Sequence, residues 1–355
     1  MKKSLFFIAA AIMVAGCSKT DSINEVNEVE IDFTNSFIEN NTKAIATGPY
    51  TTANFSVSGN TMGVFGWKEV TSNNTTSDSK IFDNQLVSHD GSNWTYTSKK
   101  YWDSNANKYK FFAYAPHSGN LPSGTTVSLT TPSADAFSIS GFTQSSTVTS
   151  QIDLLVDLTS QAVNTTNKST ASPKPRVGFT FSHILSNINF KMAVSANLKA
   201  DYQDNPVAVQ SVVLNGVYLG GTYSYANSAW GWSSRTSNTT PFNATTKTVS
   251  NSTVVFGPNE LETTAADVPG LVNMLLIPGS VSGYSVTINY TIGTEAFERT
   301  INLTDFKNGN AAADASWAIC SQYYYVLTIG PEPIEFTTTS VGGWGTGGTF
   351  TYLVE

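Results

Sequence analysis

The side chains able to do chemistry are sparse: two cysteines and three histidines in 355 residues. Cys17 alone stands where its context would make it react. It closes the run Met13-Val-Ala-Gly-Cys17, behind Lys2, Lys3 and an unbroken apolar stretch from Leu5 to Val14. A positive start, an apolar middle and small residues at the end are the layout of a secretory signal peptide. The run is shorter than the roughly 20 residues that span a bilayer, so export is expected and not a transmembrane helix. A thiol placed there is a nucleophile available for acylation. Cys320 is then expected to be a small buried apolar residue with no disulfide to make.

The other candidates do not assemble. His89, His117 and His183 lie in dissimilar surroundings, with no HExxH or paired-histidine spacing, so no metal site is expected. His183 sits inside an apolar strand and reads as a core histidine. Gly343-Trp-Gly-Thr-Gly-Gly348 matches the letters of a dinucleotide fingerprint. That motif needs a following helix N-terminus, and a strand-like tail follows instead, so it reads as a flexible connector. Asp153 and Asp157 fall on one face of a strand about 13 Å apart, at about 3.3 Å per residue. Retaining glycosidases need about 5–5.5 Å and inverting ones about 6.5–9.5 Å, so both aspartates read as solvated face residues. No catalytic residues, no cofactor and no enzyme are expected.

The elements that would carry these residues are strands. Charged residues are 13% of the chain, against about 25% in average soluble proteins, while 40% are hydrophobic and 12% aromatic. Hydroxyl, β-branched and turn-forming residues fill the gap, which suits an exported all-β protein. The net charge is −7 and no Lys/Arg cluster exists, which argues against a nucleic-acid partner. Period-two alternation is clearest from Tyr284 to Ile292; Gly293-Thr294 and a second alternating run follow, predicting a hairpin with a type II′ turn. Ile152 to Leu158 and Tyr323 to Ile329 alternate likewise. Residues 160–176 are polar, carry two prolines and lack alternation. The expected organisation is a signal peptide (1–17), an N-terminal segment (18–43), a β-sandwich (44–165), a linker (166–176) and a second β-sandwich (177–355). A parity change between Phe179/Phe181 and Ile188/Phe190/Met192 predicts a bend near His183 to Ser186.

Both ends of the mature chain read as short amphipathic strands. Val29, Ile31 and Phe33 alternate with acids near one end; Phe350, Tyr352 and Val354 share a face at the other. Lys43-Ala44 lies in a turn-rich stretch open to a protease. Either both strands pair at home, or one leaves and another molecule's strand replaces it by β-augmentation. The tryptophans leave a different function open: Trp67, Trp94 and Trp102, or the pair Trp230 and Trp232, could form an exposed platform for sugar rings. That reading is a lipid-anchored surface glycan-binding protein.

Val14-Ala15-Gly16-Cys17 resembles the lipobox of bacterial lipoproteins, which implies lipidation at Cys17. The chain as a whole resembles the fimbrillin family, the type V pilus subunits of Gram-negative anaerobes. The resemblance rests on GNTMGVFGW (59–67), KYWDSNANKYKFFAYAPHSG (100–119), QIDLLVDLT (151–159), FTFSHILSNINFKM (179–192) and PEPIEFTTTSVGGW (331–344). It implies two tandem transthyretin-like β-sandwich domains and a strand-exchange mechanism. In that scheme Cys17 anchors the precursor in outer-membrane lipid, and Val29, Ile31 and Phe33 belong to a strand that plugs the protein's own groove. An extracellular trypsin-like or Arg/Lys-specific protease cuts at Lys43-Ala44. Phe350, Tyr352 and Val354 of a neighbouring pilus subunit then fill the groove, and host or bacterial surface ligands follow as adhesion partners. Burying three such side chains contributes roughly 5–9 kcal/mol. The best-known family members are cut after arginine, whereas the first arginine here is Arg176.

Overall fold

The computed structural model describes residues 29–34, 37–38, 50–159, 163–164, 175–194, 207–237, 242–243, 254–256, 266–267, 271–308, 311–312, 316–329 and 349–350. These residues are nearly all β; the longest helix among them is Thr52–Phe55, closed by a capping box between Thr51 and Asn54. No described helix is long and apolar enough to cross a membrane.

The first sheet is built on the hairpin Thr61–Ser72 and Thr75–His89. Lys108–Ala115 pairs with Thr61–Ser72, Leu155–Asp157 pairs with Lys108–Ala115, and Thr180–His183 pairs with Leu155–Asp157, all antiparallel. On the other flank Trp94–Thr95 pairs with Thr75–His89, and Asp32–Phe33 pairs in turn with Trp94–Thr95. The two flanks then meet. Asp32–Phe33 lies parallel to Arg176–Val177, and Phe37–Ile38 lies parallel to Thr180–His183. The sheet closes on itself, and segment 29–38 is the stave that closes it.

Two cores lie on opposite faces of the central strands. Met62, Val64, Phe82, Tyr109, Phe111 and Phe179 point inward into one core. Phe65, Trp67, Phe112 and Tyr114 point outward into a second core, covered by a sheet of Thr126–Leu129, Phe137–Thr143, Tyr218–Ala226 and Ala229–Ser237. Gly63 is glycine for a packing reason: a Cβ there would collide with the Tyr114 ring. A third core lies between two further sheets. One contains Ser186–Val194 parallel to Gln322–Ile329; the other contains Val207–Asn215, Ser285–Ile292 and Glu295–Asn302.

The hairpin expected after Tyr284 is present, with Gly293 at φ 58° in the first central position that a type II′ turn requires. The bend expected near His183 falls at Ile184-Leu185, between Thr180–His183 and Ser186–Val194. Its physical cause is that one continuous segment serves all three cores. Phe179 and Phe181 face the ring interior, Ile184 and Leu185 the second core, and Ile188, Phe190 and Met192 the third. Strand pairing crosses the expected linker: Arg176–Val177 and Thr180–His183 sit in the first sheet, and Phe137–Thr143 pairs with Tyr218–Ala226. Leu155 before this stretch and Val177 after it belong to the same core.

Candidate functional site

Segment 29–34 is inserted as deeply as any strand of the ring. Val29, Ile31 and Phe33 are 4%, 0% and 2% exposed, and Ile38 beyond them is 4% exposed. Phe33 sits among aromatic rings, 5.8 Å from Phe82, 5.6 Å from Tyr96 and 6.0 Å from Phe179. At about 1.5–3 kcal/mol for each fully buried side chain, these four contribute about 6–12 kcal/mol to holding the segment in place.

The backbone is held on both flanks. Trp102 N donates to Val29 O at 2.9 Å, Ile31 N to Lys100 O at 2.8 Å, and Thr34 N to Val177 O at 2.9 Å. The Tyr96 hydroxyl donates to Ile31 O at 2.8 Å, and burial pushes its pKa up to about 12. Further along, Ile38 N donates to Thr52 Oγ1 at 3.1 Å. The acids between the apolar residues stay near the surface: Glu30 pairs with Lys99 at 2.5 Å. The Asp32 carboxyl is held above the usual carboxylate range by burial first and by the neighbouring Glu30 second. The result is a groove with three alternating apolar subsites, two flanking ladders and one strand inside.

Alternation gave Val29, Ile31 and Phe33 as that strand. The expected plug, Val29 to Phe37, stops one residue short of Ile38, because the five-residue step from Phe33 to Ile38 breaks period two. At the other terminus Thr349–Phe350 pairs parallel with Tyr324 and Tyr325, at the end of its sheet among the described residues. Cys17, Lys43, Ala44, Tyr352 and Val354 lie outside the described residues.

The remaining candidates are structural. His183 is 1% exposed, with Nδ1 2.9 Å from Asp153 Oδ1. Asp153 Oδ2 also accepts from Tyr50 N at 2.6 Å. Asp157 accepts from Thr159 N at 3.0 Å and from Thr180 N at 2.7 Å. The two aspartates are therefore not the solvated residues expected: they are 6% and 2% exposed, Asp157 at the end of the covered strand Leu155–Asp157 and Asp153 just before it. His89 Nδ1 accepts from Gly91 N, and His117 Nδ1 caps a short 3₁₀ turn through Gly119 N. Burial lowers the His117 pKa. Cys320 is half-buried at φ 55° in a turn, not in a core. Among the described residues no three His, Cys, Asp or Glu side chains come together as metal ligands.

The described tryptophans do not form the exposed platform that glycan binding would need. Trp67, Trp94, Trp102 and Trp317 are buried. Trp230 and Trp232 are half-buried against the second core, and Trp232 Nε1 is tied to Ile184 O at 2.7 Å. A cleft of about 470 Å³ beside Asp153 is lined by Tyr50, Asn60, Asn120, Gln151 and Asn273, with no described tryptophan in its wall.

Comparison with known proteins adds an independent line. A family model described as fimbrillin-like matches residues 42–344, and a prokaryotic membrane lipoprotein lipid attachment site matches residues 1–18. The chain is 27% identical over 245 residues to the fimbrium subunit Fim1C of Phocaeicola vulgatus. That match spans 64% of this chain and 61% of the relative, less than two thirds of its length. The crystal structure of a fimbrial protein from Bacteroides vulgatus superposes with a TM-score of 0.59 at 18% identity, covering 91% of this chain and 98% of that one. At that identity the likeness speaks for the fold.

Proposed function

The chain belongs to the fimbrillin-like family, and from that premise we propose that it is a structural fimbrial subunit, exported as a lipoprotein and polymerised by strand exchange. Cys17 carries the lipid and keeps the unassembled subunit at the outer membrane. One acyl chain anchors only marginally, so two or more are needed for a lasting hold. Cleavage at Lys43-Ala44 then separates segment 29–38 from the body, and the groove becomes available to a strand from another subunit. Residues 350–354 are that strand. Contacts of this head-to-tail kind do not close on themselves, so they propagate as a filament. Adhesion to surface ligands is the downstream role, and no chemical reaction is assigned to the subunit itself.

One observation supports the reading: a segment near the start of the chain fills the ring with four apolar side chains, Val29, Ile31, Phe33 and Ile38, each at most 4% exposed. A strand so placed cannot leave without a replacement of the same pattern. The test has two parts. N-terminal sequencing of protein recovered from the cell surface should find Cys17 in the precursor and Ala44 in the assembled form. Purified chain clipped after Lys43 should form ladders of multimers that resist mild detergent. Clipped chain that stays monomeric at high concentration would sink the proposal.

A further inference from the structure

The groove and the C-terminal strand are related by a reversal of sequence. The segment in the groove reads Val29-Glu-Ile31-Asp-Phe33; the C-terminal run reads Phe350-Thr-Tyr352-Leu-Val354. Spacing of the large residues is the same, but their order by size is inverted. We propose, on the strand-exchange reading above, that residues 350–354 of a second copy enter the groove in the opposite chain direction to the segment they replace.

Two features bear on the direction, and packing decides it. The first is packing. In the same direction Val354 would occupy the Phe33 subsite, leaving a void among Phe82, Tyr96 and Phe179. Phe350 would have to enter the Val29 subsite at the other end. Both a void and an overpacked site destabilise a close-packed interior. In the opposite direction Phe350 takes the Phe33 subsite, Tyr352 the Ile31 subsite and Val354 the Val29 subsite. The largest pocket then receives a ring and the smallest a valine.

The second feature is the sense of the ladders. The present segment runs parallel to its neighbour at four positions, Asp32↔Arg176, Phe33↔Val177, Phe37↔Thr180 and Ile38↔Phe181. It runs antiparallel at two, Phe33↔Trp94 and Glu30↔Tyr101. Antiparallel pairing is slightly the more stable per residue. Over residues 29–33, the span that 350–354 would fill, two of these pairs are parallel and two antiparallel, so reversal exchanges the sense of the two flanks and the direction rests on packing. Reversal also settles polarity: the glycine-rich connector 343–348 enters at the Phe33 end of the ring, next to Trp94, and the chain terminus points toward Trp102.

Cross-linking between copies reads the direction. Arg176 and Tyr101 are exposed, pair with Asp32 and Glu30 respectively, and share their outward face. Reversed entry places Thr351 beside Arg176 and Leu353 beside Tyr101. Entry in the same sense places Thr351 beside Tyr101 and Leu353 beside Arg176. A wrong partner two residues off lies about 7–8 Å away on the diagonal, beyond the Cα separation of about 4.4–6.8 Å that a disulfide allows. Four double-cysteine chains, each with Cys320→Ser and clipped after Lys43, are assembled, oxidised mildly and run without reductant. Covalent multimers are expected from Thr351→Cys/Arg176→Cys and from Leu353→Cys/Tyr101→Cys. Covalent multimers from the other two combinations instead would overturn the reversal while leaving strand exchange intact. Clipped chains that assemble in none of the four, and not in the Cys320→Ser parent, would overturn the underlying reading.

A second measurement avoids the cysteines. Clipped chain with residues otherwise unchanged is offered a synthetic peptide of residues 343–355, or the same peptide with Phe350 and Val354 exchanged. Reversed entry predicts roughly tenfold weaker capture of the exchanged peptide, from the loss of a ring in the Phe33 subsite. Tighter capture of the exchanged peptide is the result that contradicts it.

Discussion

Segment 29–38 sits inside a closed ring, with Ile31 fully buried and hydrogen bonds on both flanks, whereas Thr349–Phe350 lies at the end of a sheet among the described residues, laddered to Tyr324 and Tyr325 on one side and close to Lys307–Asn308. Taking away the first opens an aromatic core to water. Taking away the second uncovers a sheet edge. The two termini therefore differ in how they pair: the first is flanked by strands on both sides, the second lies at the end of its sheet among the described residues. An exchange mechanism needs that asymmetry, since the strand to be donated must come free cheaply and the strand to be displaced must need a covalent cut.

The comparison is most directly broken at the C-terminus. Deleting residues 349–355 should abolish multimers after clipping, read by size-exclusion chromatography with light scattering, while the unclipped monomer keeps its urea midpoint. Loss of monomer stability comparable to that of a core deletion would mean that the tail is not the loosely held end. Next, Phe33→Ala in the intact chain should cost about 3–5 kcal/mol, the usual range for a buried phenylalanine, measured by equilibrium urea unfolding. Phe350→Ala, measured alongside, should cost clearly less, because strand exchange requires that strand to come free of its own sheet.

A smaller effect isolates one flank. Tyr96→Phe removes the hydroxyl that donates to Ile31 O at 2.8 Å and should cost about 1 kcal/mol, the net worth of a typical hydrogen bond. Its signature is faster displacement of the segment by an added 29–38 peptide, with the midpoint of a C-terminal probe unmoved. The smallest effect is a pH dependence at Asp32, whose carboxyl is raised by burial and by Glu30. A raised carboxyl favours the protonated form inside the ring. Its contribution is fully present below the ordinary value of 3.8 and fades as pH rises through the raised value. Displacement of the segment should therefore quicken modestly from pH 4 upward, and Asp32→Asn should flatten that slope. An unchanged slope in the variant would place the dependence elsewhere.

Much of this was legible because it is local. The Tyr284 hairpin declares itself through alternation and a Gly-Thr turn, and Val29, Ile31 and Phe33 through alternation alone. The parity change around His183 announced a bend, since a strand cannot present both sets of residues to one core. What was not legible depends on remote pairing. Nothing near Phe137 or Tyr218 says that these two strands lie side by side. Asp153 and Asp157 looked wet because alternation suggests one solvated face, yet Leu155–Asp157 lies between two cores and the two acids bind backbone amides and His183. The aromatic subsites around Phe33 come from residues 82, 96 and 179, far apart in the chain. Size order, by contrast, was written in both termini, and only the geometry of the groove gives it meaning.

The segment from Arg176 to Val194 links two places that a fibre would pull on. At one end it flanks the groove through Arg176–Val177 and Thr180–His183; at the other it runs beside Gln322–Ile329, where the tail begins its departure. In a chain of such subunits tension would enter and leave through the same stretch of backbone, passing along covalent bonds and across strands loaded in shear. Layers need not be peeled apart for the force to be transmitted. Pulling on tethered multimers should accordingly separate subunits at the exchanged strand before any body unravels, and a first rupture inside the body would show that the force takes another route.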